Sequence, residues 1–210
     1  MRKITGIKFE KGRVKRVKLY LDGKPALNLE AEVAAEKGLK AGRELTDDEL
    51  SEIEARNRCQ RSLNTALKFL AYRPRSEFEV KEKLKSRGFA QDEIVKTIDK
   101  LKEQGFINDA AFAEYWRENR ESFSPRSRLM TAIELSRKGV SRADINGAIS
   151  EMGDSENAYR AALIRARRLS LADGEVFRTR LGGYLRRRGF SYDVINSTVK
   201  KIWRELAEKT

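Results

Sequence analysis

Apolar residues follow two different periods along this chain. Between residues 3 and 29 they alternate with lysine and arginine, which is typical of β-strands with one buried face. Asp22-Gly23 is a hairpin signal and Gly12 supplies a second turn, so a sheet of two or three strands is predicted. From Glu30 onward the apolar spacing becomes helical. We therefore expect a mainly α protein whose short N-terminal β-hairpin or sheet docks on helices.

The helical part of the chain repeats itself. A leucine, three variable residues, a glycine and an apolar residue occur at 84–89, 135–140 and 185–190, and the glycines are 51 and 50 residues apart. An isoleucine follows each glycine by six residues. This period indicates tandem copies of one small module. The predicted parts are an N-terminal hairpin region with a linker helix at 1–54 and three three-helix repeats at 55–107, 108–154 and 155–210.

Each repeat is predicted to place a glycine turn between its second and third helices. Gly88, Gly139 and Gly189 are expected to end the second helix in the left-handed conformation, because glycine takes a positive φ without steric cost. Two helices joined in this way have helix-turn-helix-like geometry. Sequence-specific reading of DNA does not follow, since the third helix of the first repeat, 91–104, mixes lysines with acids on its outer face.

Capping residues mark where helices begin. Thr46 with Glu49 and Ser76 with Glu79 have the spacing of capping boxes. The acidic run after Thr46 could instead be a metal or nuclease cluster, but acids at a helix N-terminus are favoured by the helix dipole. Ser141 and Ser191 stand where they can cap the third helices of the later repeats. The apolar residues expected to face inward around the second helices are Phe78, Val80 and Leu84, and then Leu129, Ile133 and Leu135.

Composition narrows the class of protein. The chain has no histidine, no phosphate-binding loop and one cysteine, Cys59, so we expect no enzyme, no cofactor and no small-molecule substrate. A carboxylate-only metal nuclease stays open, although no spacing singles one out. A lone cysteine fits a reducing compartment, and no apolar run or signal peptide points to a membrane. A cytoplasmic protein is expected.

Charge is the clearest indication of a partner. The chain carries a net charge of +13, distributed as +7 over 1–24, −6 over 25–54, +6 over 55–105, −1 over 106–155 and +7 over 156–210. Basic segments around a neutral middle predict contact with a polyanion at more than one place. Charge that serves solubility alone is the alternative.

Arginines are the candidates for that contact. Arg75 and Arg126 stand at the start of a second helix, whose free N–H groups could add to an anion site; a plain helix boundary with solvated arginines is equally compatible. Three consecutive arginines, 186–188, lie in a last helical turn, where the dipole favours cations. The full candidate set is Arg73, Arg75, Arg87, Arg126, Arg165, Arg167, Arg168, Arg178, Arg180, Arg186, Arg187 and Arg188.

Most aromatic residues fit the apolar stripes and are expected in the core rather than on a base-stacking surface. This group comprises Phe112, Tyr115, Trp116, Phe177 and Phe190. For Tyr72, Tyr192 and Trp203 the sequence leaves both roles open.

In this order the motifs resemble the RecX family of recombination regulators. The likeness rests on an arginine-serine helix start at 73–76, the leucine-glycine motif at 84–89, and Gly105-Phe106-Ile107-Asn108-Asp109 followed by Phe112-Ala113. It continues through the two later leucine-glycine motifs and covers about residues 55–205. Phe123-Ser124-Pro125 departs from it, because a glycine-containing turn is expected there, and Ala90 stands in the position of Ser141 and Ser191.

The resemblance implies a regulator of homologous recombination and DNA repair, within the SOS response, that acts on RecA. RecX proteins bind RecA and the groove of the RecA–single-stranded DNA filament, and generally inhibit ATPase activity and strand exchange. Basic patches would then contact single- or double-stranded DNA, and a monomer is expected. The first alternative is a general nucleic-acid-binding helical protein that acts independently of RecA. The second is a structural adaptor that ignores nucleic acid.

Overall fold

The computed structural model describes residues 1–10 and 16–208, so the predicted turn at Gly12 lies outside the described residues. Within them the chain forms ten helices and one small N-terminal sheet, which confirms the predicted fold class. The chain divides into two compact units. The first comprises Met1–Arg73 with Val80–Ile107, and the second comprises Pro74–Glu79 with Asn108–Thr210.

The sheet opens the first unit. Its strands are β1 (Arg2–Glu10), β2 (Arg16–Leu21), β3 (Lys24–Glu30) and β4 (Glu44–Leu45), in the antiparallel order β3-β2-β1-β4. Asp22 and Gly23 join β2 to β3 with φ of 49° and 78°, the doubly positive geometry of a two-residue hairpin turn. β4 is a fourth strand that the sequence did not predict, because two residues carry no period.

The helices of the first unit are α1 (Ala31–Glu36), α2 (Asp47–Leu70), α4 (Gln91–Glu103) and most of α3 (Glu77–Lys85), whose first three residues belong to the second unit. The capping box before α2 is confirmed, since Glu49 N donates to Thr46 Oγ1 at 3.1 Å and Thr46 N donates to Glu49 Oε2 at 2.9 Å. The bond from Thr46 N, followed by that from Arg43, lowers the pKa of Glu49. α2 runs unbroken through residues 54 and 55, and the boundaries predicted there and at 107 and 154 stay predictions.

A polar latch ties the sheet to α2. Asn57 Oδ1 accepts the backbone N–H of Glu30 at 2.8 Å, and its amide group donates to Asn28 O at 3.1 Å. Asn64 Nδ2 donates to the Glu30 carboxylate at 3.0 Å. Asn57 and Glu30 are both buried, so these bonds satisfy polar groups that would otherwise be costly to remove from water. The latch holds the end of β3 against the middle of α2.

The second unit contains the helices α5 (Asp109–Phe123), α6 (Arg128–Arg137), α7 (Arg142–Ile149), α8 (Asp154–Ala166), α9 (Gly174–Arg187) and α10 (Tyr192–Ala207). They form two three-helix bundles, α5–α7 and α8–α10, each with its own buried core. Phe112 and Leu135 are fully buried in the first bundle, and Phe177 and Leu181 in the second. The N–H of Asp144 donates to Ser141 Oγ at 3.1 Å, which confirms that cap, whereas the Ser191 hydroxyl makes no cap bond.

Two joints of the same design occur within the second unit. Ser76, at the start of α3, donates its hydroxyl to the carbonyl of Lys138 at 2.7 Å. Ser127, at the start of α6, donates its N–H to the carbonyl of Arg188 at 3.1 Å. Each acceptor immediately precedes a turn glycine, Gly139 or Gly189. At 135–140 and 185–190 the leucine-glycine motif therefore ends one helix, and its carbonyl also accepts a hydrogen bond from the start of an earlier helix.

The turn glycines differ in how closely they are packed. Gly88, Gly139 and Gly189 have φ of 79°, 76° and 87°, all in the left-handed region. A Cβ on Gly139 would collide with the Cβ of Phe78, and one on Gly189 would lie 2.6 Å from Ser127 Oγ. A Cβ on Gly88 would have no described atom within 4 Å. Conformation therefore requires glycine at all three positions, and close approach requires it at two of them.

Three apolar residues face differently from the sequence prediction. Phe78 is 46% exposed, because its side chain lies over Gly139 instead of entering the core beside Val80. Leu129 and Ile133 are 66% and 36% exposed, since α6 buries the neighbouring pair Thr131 and Leu135. Residues 129 and 133 lie on the face of α6 next to the buried one. The sequence prediction wrongly assigned them to the buried face.

Candidate nucleic-acid interface

Several arginines proposed from sequence hold the fold together. Arg126 forms an ion pair of 2.5 Å with Glu134, whose carboxylate also accepts from Arg120 at 2.7 Å and from Trp116 Nε1 at 2.9 Å. This carboxylate is only 13% exposed, and the cluster fastens the start of α6 to α5. The contacts indicate a structural role for Arg126.

Arg75 and Arg188 each lie at one of the two joints, Arg75 immediately before Ser76 and Arg188 immediately before Gly189. Arg75 lies 3.8 Å from Glu79, and Lys138 donates to the same carboxylate at 3.0 Å. Arg188 Nη1 donates to Pro125 O at 2.8 Å and to Ser124 Oγ at 3.1 Å, and its guanidinium lies 4.5 Å from the centre of the Tyr184 ring. The segment 123–125, which departs from the resemblance, is thus secured by an arginine.

Two further candidates rest on aromatic rings. Arg165 lies 5.8 Å from the centre of the Tyr184 ring, which also carries Arg188, and Arg178 lies 5.3 Å from that of Trp203. Trp203 packs on buried Phe177, with ring centroids 5.2 Å apart. Tyr184 and Trp203 therefore take part in the packing of this bundle and orient cations at its surface.

The remaining third-repeat candidates are open to solvent. They are Arg167 and Arg168 after α8, Arg180 on α9, and Arg186 and Arg187 at the end of α9. Among the residues that the structure describes, none of these five forms an ion pair. Arg180 and Arg187 share a face of α9, seven residues apart, and Gly183 between them leaves room beside the guanidinium of Arg187. These five arginines, two after α8 and three on α9, are called the α9 patch below, and each can accept a phosphate without first breaking a salt bridge.

A second basic surface lies in the first unit, and of the proposed arginines only Arg87 contributes to it. It is a cleft of about 510 Å³, lined by Arg16, Glu30, Arg61, Asn64, Thr65, Lys68, Phe69, Tyr72, Lys83, Arg87 and Phe89. Arg73 is half-buried beside Tyr72 in the chain and is not among the lining residues. Sequence reasoning missed most of the cleft. The available signal was the spacing of Arg61 and Lys68 along one face of α2, with Tyr72 two residues beyond the end of that helix.

Two searches of the described ranges 1–10 and 16–208 bear on other classes of protein. Every helix there is too short or too polar to span a lipid bilayer. The same ranges hold no group of three or more acidic, cysteine or histidine side chains placed to bind a metal ion.

Models of one family match all three helical repeats. The model of the RecX first three-helix domain matches residues 63–101, that of the second matches 108–149, and that of the third matches 154–199. Together the three matches cover more than half of the chain.

Individual proteins show the same likeness over nearly the whole chain. The regulatory protein RecX of Bacillus subtilis is 30% identical over 211 residues, covering 99% of this chain and 80% of its own length. That of Clostridium perfringens is 28% identical and covers 96% and 97%. A crystal structure of a regulatory protein RecX superposes with a TM-score of 0.68 at 24% identity, over 94% of this chain and 98% of that one. The fold is shared along with the sequence.

Proposed function

Since this chain belongs to the RecX family of regulatory proteins, we propose that it binds the RecA monomer and also the RecA–single-stranded DNA filament. There it lowers RecA's ATPase activity and strand exchange. It acts as a monomer in the cytoplasm, without catalysis or a cofactor of its own. The single cysteine and the strongly basic composition support this reading.

One observation carries the proposed contact with DNA in the filament. The five arginines of the α9 patch are exposed and form no ion pair within the described residues. Exposed, unpaired cations lose little when a phosphate replaces water around them, and they release counterions from the nucleic acid. The arginines at the joints are already engaged. The α9 patch is therefore the part of the third repeat suited to phosphate.

The function is tested by RecA's DNA-dependent ATPase activity, with this protein added well below the RecA concentration. We expect inhibition at ratios too low for the protein to coat the DNA, because a regulator of the filament acts beyond the site that it occupies. Binding to naked DNA is recorded in the same buffer. Tight DNA binding without any effect on RecA would instead support a general nucleic-acid-binding protein. No response in either measurement would support a structural adaptor.

Replacing Arg186 and Arg187 with alanine is expected to weaken binding to the filament and to flatten its dependence on salt. Two lost phosphate contacts should reduce the slope of log K against log salt by about 1.4 for single-stranded DNA. Arg188 is kept, because its bonds to Ser124 and Pro125 belong to the fold. The measurement is filament binding by fluorescence anisotropy over a salt series.

The matched control for the α9 patch replaces Arg137 and Arg142 with alanine. Both are exposed and lie in the neutral second repeat, so the net charge changes equally. An equal reduction of the slope in both variants would show that overall charge, and not the α9 patch, determines binding.

A further inference from the structure

The cleft of the first unit has walls of unequal chemistry. Arg61, Lys68 and Tyr72 come from α2 and the residues after it, Lys83 from α3, and Arg87 with Phe89 from the α3–α4 turn. Arg16 and Glu30 enter from the sheet. Five cations therefore line the space together with three aromatic side chains and a single carboxylate. Its volume of about 510 Å³ is within the usual range of roughly 300–1,000 Å³ for ligand sites.

The single carboxylate does not cancel the positive charge of the cleft. Glu30 is 2% exposed and is engaged by Arg16 at 3.2 Å and by Asn64 at 3.0 Å. Arg61, Lys68 and Arg87 are exposed and form no ion pair among the described residues. The sheet thus supplies a neutralised floor, and the helices supply unpaired cations above it.

The aromatic residues add a feature that electrostatics alone would not need. Tyr72 is 86% exposed and lies two residues after the end of α2, and Phe69 and Phe89 are half-buried in the wall. Lys83 Nζ lies 5.5 Å from the centre of the Phe69 ring. Sites for single-stranded nucleic acid usually combine cations placed along the phosphate backbone with aromatic faces that stack on the bases.

We propose that this cleft binds a short segment of single-stranded nucleic acid, with one base stacked on Tyr72 and neighbouring phosphates on Arg61, Lys68 and Arg87. Arg61 and Lys68 are seven residues apart on α2, about 10 Å along the axis, which suits successive phosphates better than one phosphate group. A duplex is disfavoured, since its bases are paired and stacked and cannot reach Tyr72. An acidic peptide would satisfy the cations but would leave the aromatic faces unused.

The proposal deepens the proposed function, because it takes DNA as the polymer, but it requires no RecA. It locates a second contact with the strand, formed by the N-terminal sheet and the first repeat. It can therefore fail while inhibition of RecA is observed, and it can succeed when RecA is unaffected.

Photo-crosslinking to a short oligonucleotide that contains 5-iododeoxyuridine tests the site directly, with the full chain and without RecA. We expect crosslinks in the tryptic peptide 69–75, which contains Tyr72, and expect them to be lost in Tyr72→Ala. Excess unlabelled single strand should suppress the crosslink, and the matching duplex should do so poorly. Crosslinks confined to the second unit would overturn the proposal, as would equal suppression by polyglutamate.

Affinity for labelled oligo(dT) provides a second readout. Tyr72→Ala should weaken binding by about tenfold, as expected for one lost stacking contact, and Tyr72→Phe should bind like the parent protein because the ring remains. Lys68→Ala with Arg87→Ala should reduce the salt slope by about 1.4. The control is Lys96→Ala with Lys100→Ala, which removes the same charge from exposed positions of α4 outside the cleft.

These variants carry the α9 substitutions Arg186→Ala and Arg187→Ala, so that the second unit contributes little to binding. Because Tyr72, Lys68 and Arg87 are all exposed, the thermal unfolding midpoint should stay unchanged. Unchanged affinity in Tyr72→Ala, or an equal change of slope in the α4 control, would overturn the proposal.

Discussion

Gly139→Ala is expected to destabilise the second unit by roughly 2–5 kcal/mol. About 1–2 kcal/mol comes from placing a Cβ in the left-handed conformation, since φ at Gly139 is 76°. About 1–3 kcal/mol more comes from overpacking, because the new methyl group meets the Cβ of Phe78. That Cβ is attached directly to the backbone of α3, so a change of rotamer cannot move it away.

Gly88→Ala is the matched control for this prediction. Gly88 has nearly the same φ, 79°, but a Cβ there meets no described atom within 4 Å, so only the conformational cost of about 1–2 kcal/mol is expected. Urea unfolding is followed by circular dichroism for both variants. Tryptophan fluorescence reports on the second unit alone, because Trp116 and Trp203 both lie there. Equal losses in the two variants would refute a packing role for the joint.

Glu134→Ala is expected to cost about 2–4 kcal/mol of stability, somewhat less than the value for a fully buried ion pair. Its carboxylate is 13% exposed and receives hydrogen bonds or ion pairs from Arg120, Arg126 and Trp116. Alanine would leave two half-buried guanidinium groups and an indole N–H without this acceptor. Unpaired polar groups that have lost water account for most of the expected cost.

The Glu134 prediction is checked by chemical unfolding followed through the fluorescence of Trp116, whose indole contacts the carboxylate directly. Glu118→Ala is the control, because this substitution also removes one negative charge, in this case from α5. Glu118 is 66% exposed, so its replacement should change stability by less than about 1 kcal/mol. If both substitutions have the same effect, then overall charge and not the cluster determines the stability of this bundle.

The fold could be predicted from sequence wherever geometry within a few residues determines it. The hairpin turn at Asp22-Gly23 and the capping box at Thr46 each depend on residues at most three positions apart. The repeats could be predicted because the period of the leucine-glycine motif survives in all three copies. β4 could not be predicted, since it is defined by its pairing with β1, which brings together Leu45 and Arg2 from distant positions in the sequence.

The candidate site was harder to predict because an arginine's role depends on what its guanidinium meets in the fold. Arg188 bonds to Pro125, 63 residues away, and nothing local distinguishes it from Arg186 and Arg187. The candidate set predicted from the sequence therefore contains structural arginines as well as exposed ones. The cleft was missed because Arg16 and Arg87 belong to distant segments, although the α2 residues between them were visible as a stripe.

The joints also give the array a polarity and a rule for extension. At each one, a helix start from the earlier repeat, Ser76 or Ser127, meets the carbonyl before the glycine of the later repeat. The middle repeat contains both parts of a joint. Its Ser127 bonds to the later repeat, and the turn at Gly139 contacts the earlier one. Such a unit is interchangeable in principle: a second copy of it, inserted in frame, would present the connections that its neighbours require. Lengthening the protein by duplicating the middle repeat would therefore reuse a helix start and a glycine turn that the chain already carries.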